Sequence, residues 1–139
     1  MNKQNTKRRI LVVDDEPDNA SIFRITLEDN GFDVDAFNDS MLALSNFKPD
    51  YYDLLILDIK MPKMNGYELY EKVSNMDDKV KVCFLTAYGE HYTEEFKARF
   101  TSSGSSSTSS LRHNNISFIR KPVQLDELVK KVNETIKKK

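Results

Sequence analysis

The sequence predicts an α/β fold, a three-layer arrangement in which a five-stranded parallel sheet is covered on both faces by five helices. Two observations carry this. Short apolar runs alternate with longer stretches whose apolar residues recur at helical spacing. Two of those runs, Ile10–Val13 and Leu54–Leu57, also end abruptly on carboxylates, Asp14 and Asp58. A carboxylate at the C-terminal end of a buried parallel strand lies where open α/β folds place their active sites.

Taken in order, Arg9–Val13 reads as the first strand, ending in Asp14-Asp15-Glu16-Pro17. Pro17 suits the first turn of a helix, and the acidic residues suit its positive end. That helix runs to about Asn30, with Ala20, Phe23 and Leu27 on one face, and Gly31 ends it. Phe32–Ala36 is the second strand. Asp39-Ser40 caps a second helix over Met41–Phe47, stopped by Pro49. Leu54–Asp58 is the third strand, apolar enough to be buried on both faces. Asn65-Gly66 leads into a third helix with Leu69 and Val73 inward. Val80–Thr86 is the fourth strand. A fourth helix follows over roughly Glu90–Phe100, with Tyr92, Phe96 and Phe100 on one stripe. Thr101–Ser110 contains no apolar residue and reads as a flexible segment. Ile116–Ile119 is the fifth strand, leading into Arg120-Lys121-Pro122. The last helix carries Leu125, Leu128, Val129, Val132 and Ile136 on one face, and Lys137–Lys139 complement its negative end.

The length of 139 residues suits one domain over 9–139, preceded by a flexible arm over 1–8 and interrupted by a Ser/Gly/Thr-rich insertion over 101–115. A formal net charge of −1 gives no global drive toward nucleic acid or an anionic membrane. No apolar run approaches membrane-spanning length, and no signal-peptide core follows the basic start. Cys83 stands alone within an apolar run and reads as a small buried hydrophobe, so a reducing cytoplasm is the expected compartment.

Four segments together resemble a response-regulator receiver domain, the CheY-like module of two-component signalling. They are Val12–Pro17, Leu57–Leu69, Phe84–Ala87 and Phe118–Pro122, and the resemblance spans nearly the whole chain from Arg8 to Ile136. It implies a flavodoxin-like sheet of strand order 2-1-3-4-5. It implies that Asp58 accepts a phosphoryl group in a Mg²⁺-dependent reaction. Asp14, Asp15 and Asp58 would hold the ion together with the backbone carbonyl of Lys60, Asp15 directly and Asp14 mainly through water. The chemistry is coherent. Crowded carboxylates repel one another, and a hard divalent ion relieves that repulsion. Lys121 would pair with the phosphoryl oxygens, and Thr86 would turn its hydroxyl toward them. Phe118 would then move inward, switching the face built from the fourth helix, the fifth strand and the last helix. Lys121-Pro122 is a candidate cis bond. The implied partners are a sensor histidine kinase or phosphotransfer protein and a downstream protein target, without direct nucleic-acid or membrane contact. No helix-turn-helix follows Ile136, so output is expected through protein contact or an effector outside this chain. The oligomeric state is left open.

Plainer readings exist for each residue alone. Asp14-Asp15-Glu16 suits helix capping, Lys121 a solvated lysine, Thr86 a strand residue and Phe118 core. His91 and His113 read as surface residues, and Tyr88 and Lys60 have surface roles as their alternative. A degenerate receiver, serving only as a binding module, is the first rival function. A Mg²⁺-dependent phosphatase of the haloacid dehalogenase type is another. That class needs a second carboxylate two residues past its nucleophile, where this chain has Lys60. No Gly-rich Gly-Lys-Ser/Thr loop supports nucleotide binding. The 101–110 segment departs from the receiver pattern and falls on its usual output face; composition leaves open a natural loop, a phosphorylatable segment and an engineered linker.

Overall fold

The computed structural model describes residues 7–87 and 116–137. Its elements are β1 (Arg9–Val13), α1 (Pro17–Asp29), β2 (Asp33–Phe37), α2 (Ser40–Asn46), β3 (Leu54–Asp58), α3 (Gly66–Met76), β4 (Lys81–Thr86), β5 (Ile116–Arg120) and α4 (Leu125–Lys137). Four helices therefore stand among the described residues; the helix predicted over 90–100 and the 101–115 insertion lie outside them, as do Tyr88, His91 and His113.

The strands form one parallel sheet in the order β2-β1-β3-β4-β5, the flavodoxin-like order. Two-residue periodicity sorts its side chains into two cores. Leu11, Val13, Leu55, Leu57, Val82 and Phe84 pack with Ala43 of α2 and Leu69, Tyr70 and Val73 of α3. Ile10, Val12, Leu54, Ile56, Cys83 and Leu85 pack with Phe23 and Leu27 of α1 and Leu128, Val132 and Ile136 of α4. β3 is buried along its entire length, as its unbroken apolar run requires. The chain runs from β1 outward to β2, then returns across β1 to β3. The C-terminal ends of β1 and β3 therefore open the crevice at which such sheets bind ligands.

Element boundaries differ from expectation by one residue at several ends. β2 covers Asp33–Phe37 rather than Phe32–Ala36. The Phe32 amide donates to the Leu27 carbonyl at 3.1 Å and so closes α1; the Asp33 amide, donating to Arg8 at 2.9 Å, opens the ladder. α2 covers Ser40–Asn46 because Asp39 is its N-cap and Phe47 its extended C-cap. β4 begins at Lys81 rather than Val80. Gly31 ends α1 with φ of 94°, a conformation in which a side chain is strained.

Candidate functional site

Asp14 and Asp58 reach the same place by the same rule. Each continues the face of its strand that carries Ile10 and Val12, or Leu54 and Ile56. β1 and β3 are paired in register through Val13 and Leu57, so the two aspartates are next in line on neighbouring strands. Asp15, half-buried, follows from the same turn. Carboxylate oxygens of Asp14, Asp15 and Asp58 lie within 4.8 Å of one another. Lys121 enters from the end of β5. Its amide donates to the Thr86 carbonyl at 2.8 Å, and its Nζ donates to Asp58 Oδ2 at 3.0 Å and stands 3.5 Å from Asp14 Oδ2. The Lys121-Pro122 bond is cis.

The site is electrostatically strained. Asp14 and Asp58 are buried, with 0% and 4% of their surface exposed. Burial, followed by the charge of Asp14, pushes the Asp58 carboxyl up to about 7, against the opposing hydrogen bond and charge of Lys121 and with a further push from Asp15. Burial of Lys121 disfavours its ammonium. Its hydrogen bond to Asp58 and the charges of Asp58 and Asp14 outweigh that and hold its pKa above the ordinary value. One lysine thus faces a surplus of carboxylates. Three carboxylates gathered this closely offer the hard oxygens that suit a hard divalent cation.

Thr86 is buried at the end of β4, one residue past Leu85, the register partner of Asp58. Phe118 shares the Phe84 face of the sheet, with ring centroids 5.6 Å apart and planes tilted by 32°. Thr86 lies two residues past Phe84 on that same face. Asp14, Asp15, Asp58, Thr86 and Lys121 are therefore gathered at one sheet edge, as expected. Capping by the acidic turn is only partial: Asp14 Oδ1 accepts from the Glu16 amide at 3.0 Å, while Glu16, the N-cap of α1, makes no side-chain capping bond.

Two residues near the site were given no site role from the sequence. Asn19 Nδ2 lies 3.5 Å from Asp14 Oδ2 and 3.3 Å from Glu16 Oε1, and no sequence signal marks it. Gly66 lies against the backbone of Asp58 and Ile59. The Asn65-Gly66 pair signals a turn into α3, and close approach is the second use to which such a glycine is put.

Residues 10–133 match the family described as response regulator receiver domain. The sensor protein EvgS of Escherichia coli (strain K12) is 38% identical over 81 residues, which are 58% of this chain and 7% of EvgS. The DNA-binding response regulator MtrA of Mycolicibacterium smegmatis is 38% identical over 81 residues, 58% of this chain and 35% of MtrA. The chain thus spans about a third or less of the length of these curated relatives. A CheY-like receiver domain protein from Methanospirillum hungatei JF-1 superposes with a TM-score of 0.75 at 26% identity, covering 94% of each chain. With its sheet order, its acidic strand ends and a match over most of its length, this chain belongs to the response-regulator receiver domain family.

Proposed function

We propose that this domain is a Mg²⁺-dependent phosphoacceptor, with Asp58 as the acceptor. The observation that supports it most is the Lys121 ammonium held 3.0 Å from Asp58 Oδ2 beside a cluster of three carboxylates. Asp14, Asp15 and Asp58 would hold the ion, with the Lys60 carbonyl as a further oxygen. Bound there, Mg²⁺ would neutralise charge on the transferring group. An Asp58 oxygen attacks the phosphorus of a phosphohistidine on a partner kinase or phosphotransfer protein. An O–P bond forms as the N–P bond breaks, and the leaving imidazole takes the electron pair and a proton from water. Lys121 moves its charge from Asp58 onto the new phosphoryl oxygens, and the Thr86 hydroxyl donates to them. Phe118 follows Thr86, and the β5 face changes shape for a downstream protein. The domain acts on itself; it accepts the group and hydrolyses it without turning over a small molecule.

The test is intact mass after incubation with acetyl phosphate, with and without Mg²⁺, on wild type and Asp58→Asn. One added phosphoryl group that requires Mg²⁺ and vanishes in Asp58→Asn is expected. Absence of an adduct both here and with a phosphorylated kinase would overturn the proposal in favour of a receiver that acts only by binding.

A further inference from the structure

We propose that Gly66 is a positioning residue, and that its missing side chain sets where the backbone of Asp58–Lys60 stands. The inference rests on the roles proposed above for Asp58 and the Lys60 carbonyl. A Cβ built on Gly66 would run into the Asp58 carbonyl oxygen and lie 3.0 Å from Ile59 Cα and 3.1 Å from the Asp58 carbonyl carbon. These are backbone atoms and have no rotamer through which to escape. The requirement is one of space: among the described glycines the one with a left-handed backbone is Gly31, at φ of 94°, and a Cβ there meets nothing within 4 Å.

α3 has little room to retreat from such a Cβ. The Gly66 amide donates to the Ile59 carbonyl at 2.8 Å. Asn65 and Glu68 form a reciprocal capping box, each side chain accepting from the other's amide at 2.9 Å. Tyr67 and Tyr70 are buried and meet the Phe84 ring edge-on at 4.9 and 5.7 Å. The other side of the contact is the end of β3, where the Ile59 amide is tied to the Leu85 carbonyl at 3.1 Å. Any added atom therefore displaces the segment that carries the acceptor and the Lys60 carbonyl. Metal affinity is sensitive to supporting geometry of this kind.

The experiment compares wild type with Gly66→Ala, Asn65→Ala and Gly31→Ala under conditions where each is folded by circular dichroism. Mg²⁺ affinity is read by calorimetry, and the amide shifts of Ile59 and Lys60 by NMR without metal. Gly66→Ala is expected to weaken Mg²⁺ binding about tenfold or more and to move both amides. Asn65→Ala adds no atom but loosens the cap, and is expected to weaken Mg²⁺ binding by a smaller factor. Gly31→Ala strains a distant turn, loses stability and leaves both readouts at wild-type values. If Gly66→Ala does not fold, unchanged affinity in Asn65→Ala overturns the inference. If wild type binds no Mg²⁺, the phosphoacceptor reading fails, and the metal-free amide shifts still decide whether Gly66 positions the segment. Unmoved amides in folded Gly66→Ala overturn it.

Discussion

Asp58 ends a strand in which every other residue is apolar, and Asp14 stands in the same position one strand away. Burying both carboxylates works against folding wherever both are ionised. The folded state raises the Asp58 pKa to about 7, so it holds that proton more tightly than the unfolded chain does. By linkage, the stability associated with the proton is present in full below the ordinary carboxylate value of about 4, and is lost as the pH rises through the folded value. Asp58→Asn carries no titrating group there. In metal-free protein the variant should be the more stable at about pH 8, and the gap should close toward about pH 4. Paired urea titrations across that range check it, and a gap independent of pH would show that Lys121 neutralises Asp58 fully. The acidic surplus was legible from Asp14-Asp15 and Asp58 alone. The opposing pull of Lys121 needed the distance, because a lone lysine after a strand is most often solvated.

At the scale of the element, the helices are held in different ways. α1, α3 and α4 bury apolar stripes that their spacing announces, with Phe23 and Leu27, Leu69 and Val73, and Leu128 and Val132 inward. α2 is only 7 residues long and buries only Ser40 and Ala43, with Met41 and Leu42 exposed. Helices this short are marginal on their own, so the end contacts matter. Asp39 Oδ1 accepts from the Met41 amide at 2.8 Å and the Leu42 amide at 3.0 Å. Asp39→Ala should destabilise the domain by about 1 kcal/mol through loss of that cap. A urea midpoint unchanged at constant slope would show that α2 is held by its packing alone. The Asp39-Ser40 cap was readable because capping is a local matter of side chain and amide. The one-residue shift of β2 was not, since Phe32 is buried as a strand residue would be while its amide serves the end of α1.

At the scale of the whole molecule, the alternation of strands with helices predicted a parallel sheet covered on both faces, but not which strands are neighbours. Leu54–Leu57 is apolar at every position and fits any central place in a parallel sheet; the order 2-1-3-4-5 came from resemblance to receivers. What the order adds is cooperativity. β4 is held between β3 and β5, and Cys83 lies at its middle, opposite Ile56 on one side and Ser117 on the other. Cys83 is wholly buried, and burial pushes its thiol up to about 12. Alkylation needs an exposed thiolate, so the folded protein offers none at neutral pH. Being the chain's sole cysteine, it reports one opening event. If β4 opens only when both cores separate, iodoacetamide labelling in the fast-reclosing regime should give the same free energy as urea unfolding. Mg²⁺ bound only by the folded state should slow labelling further, by the linkage that any such ligand exerts. Labelling faster than global unfolding allows would instead reveal that β5 and α4 separate from β4 as a unit. The strand next to Lys121 would then be the weakest part of the sheet.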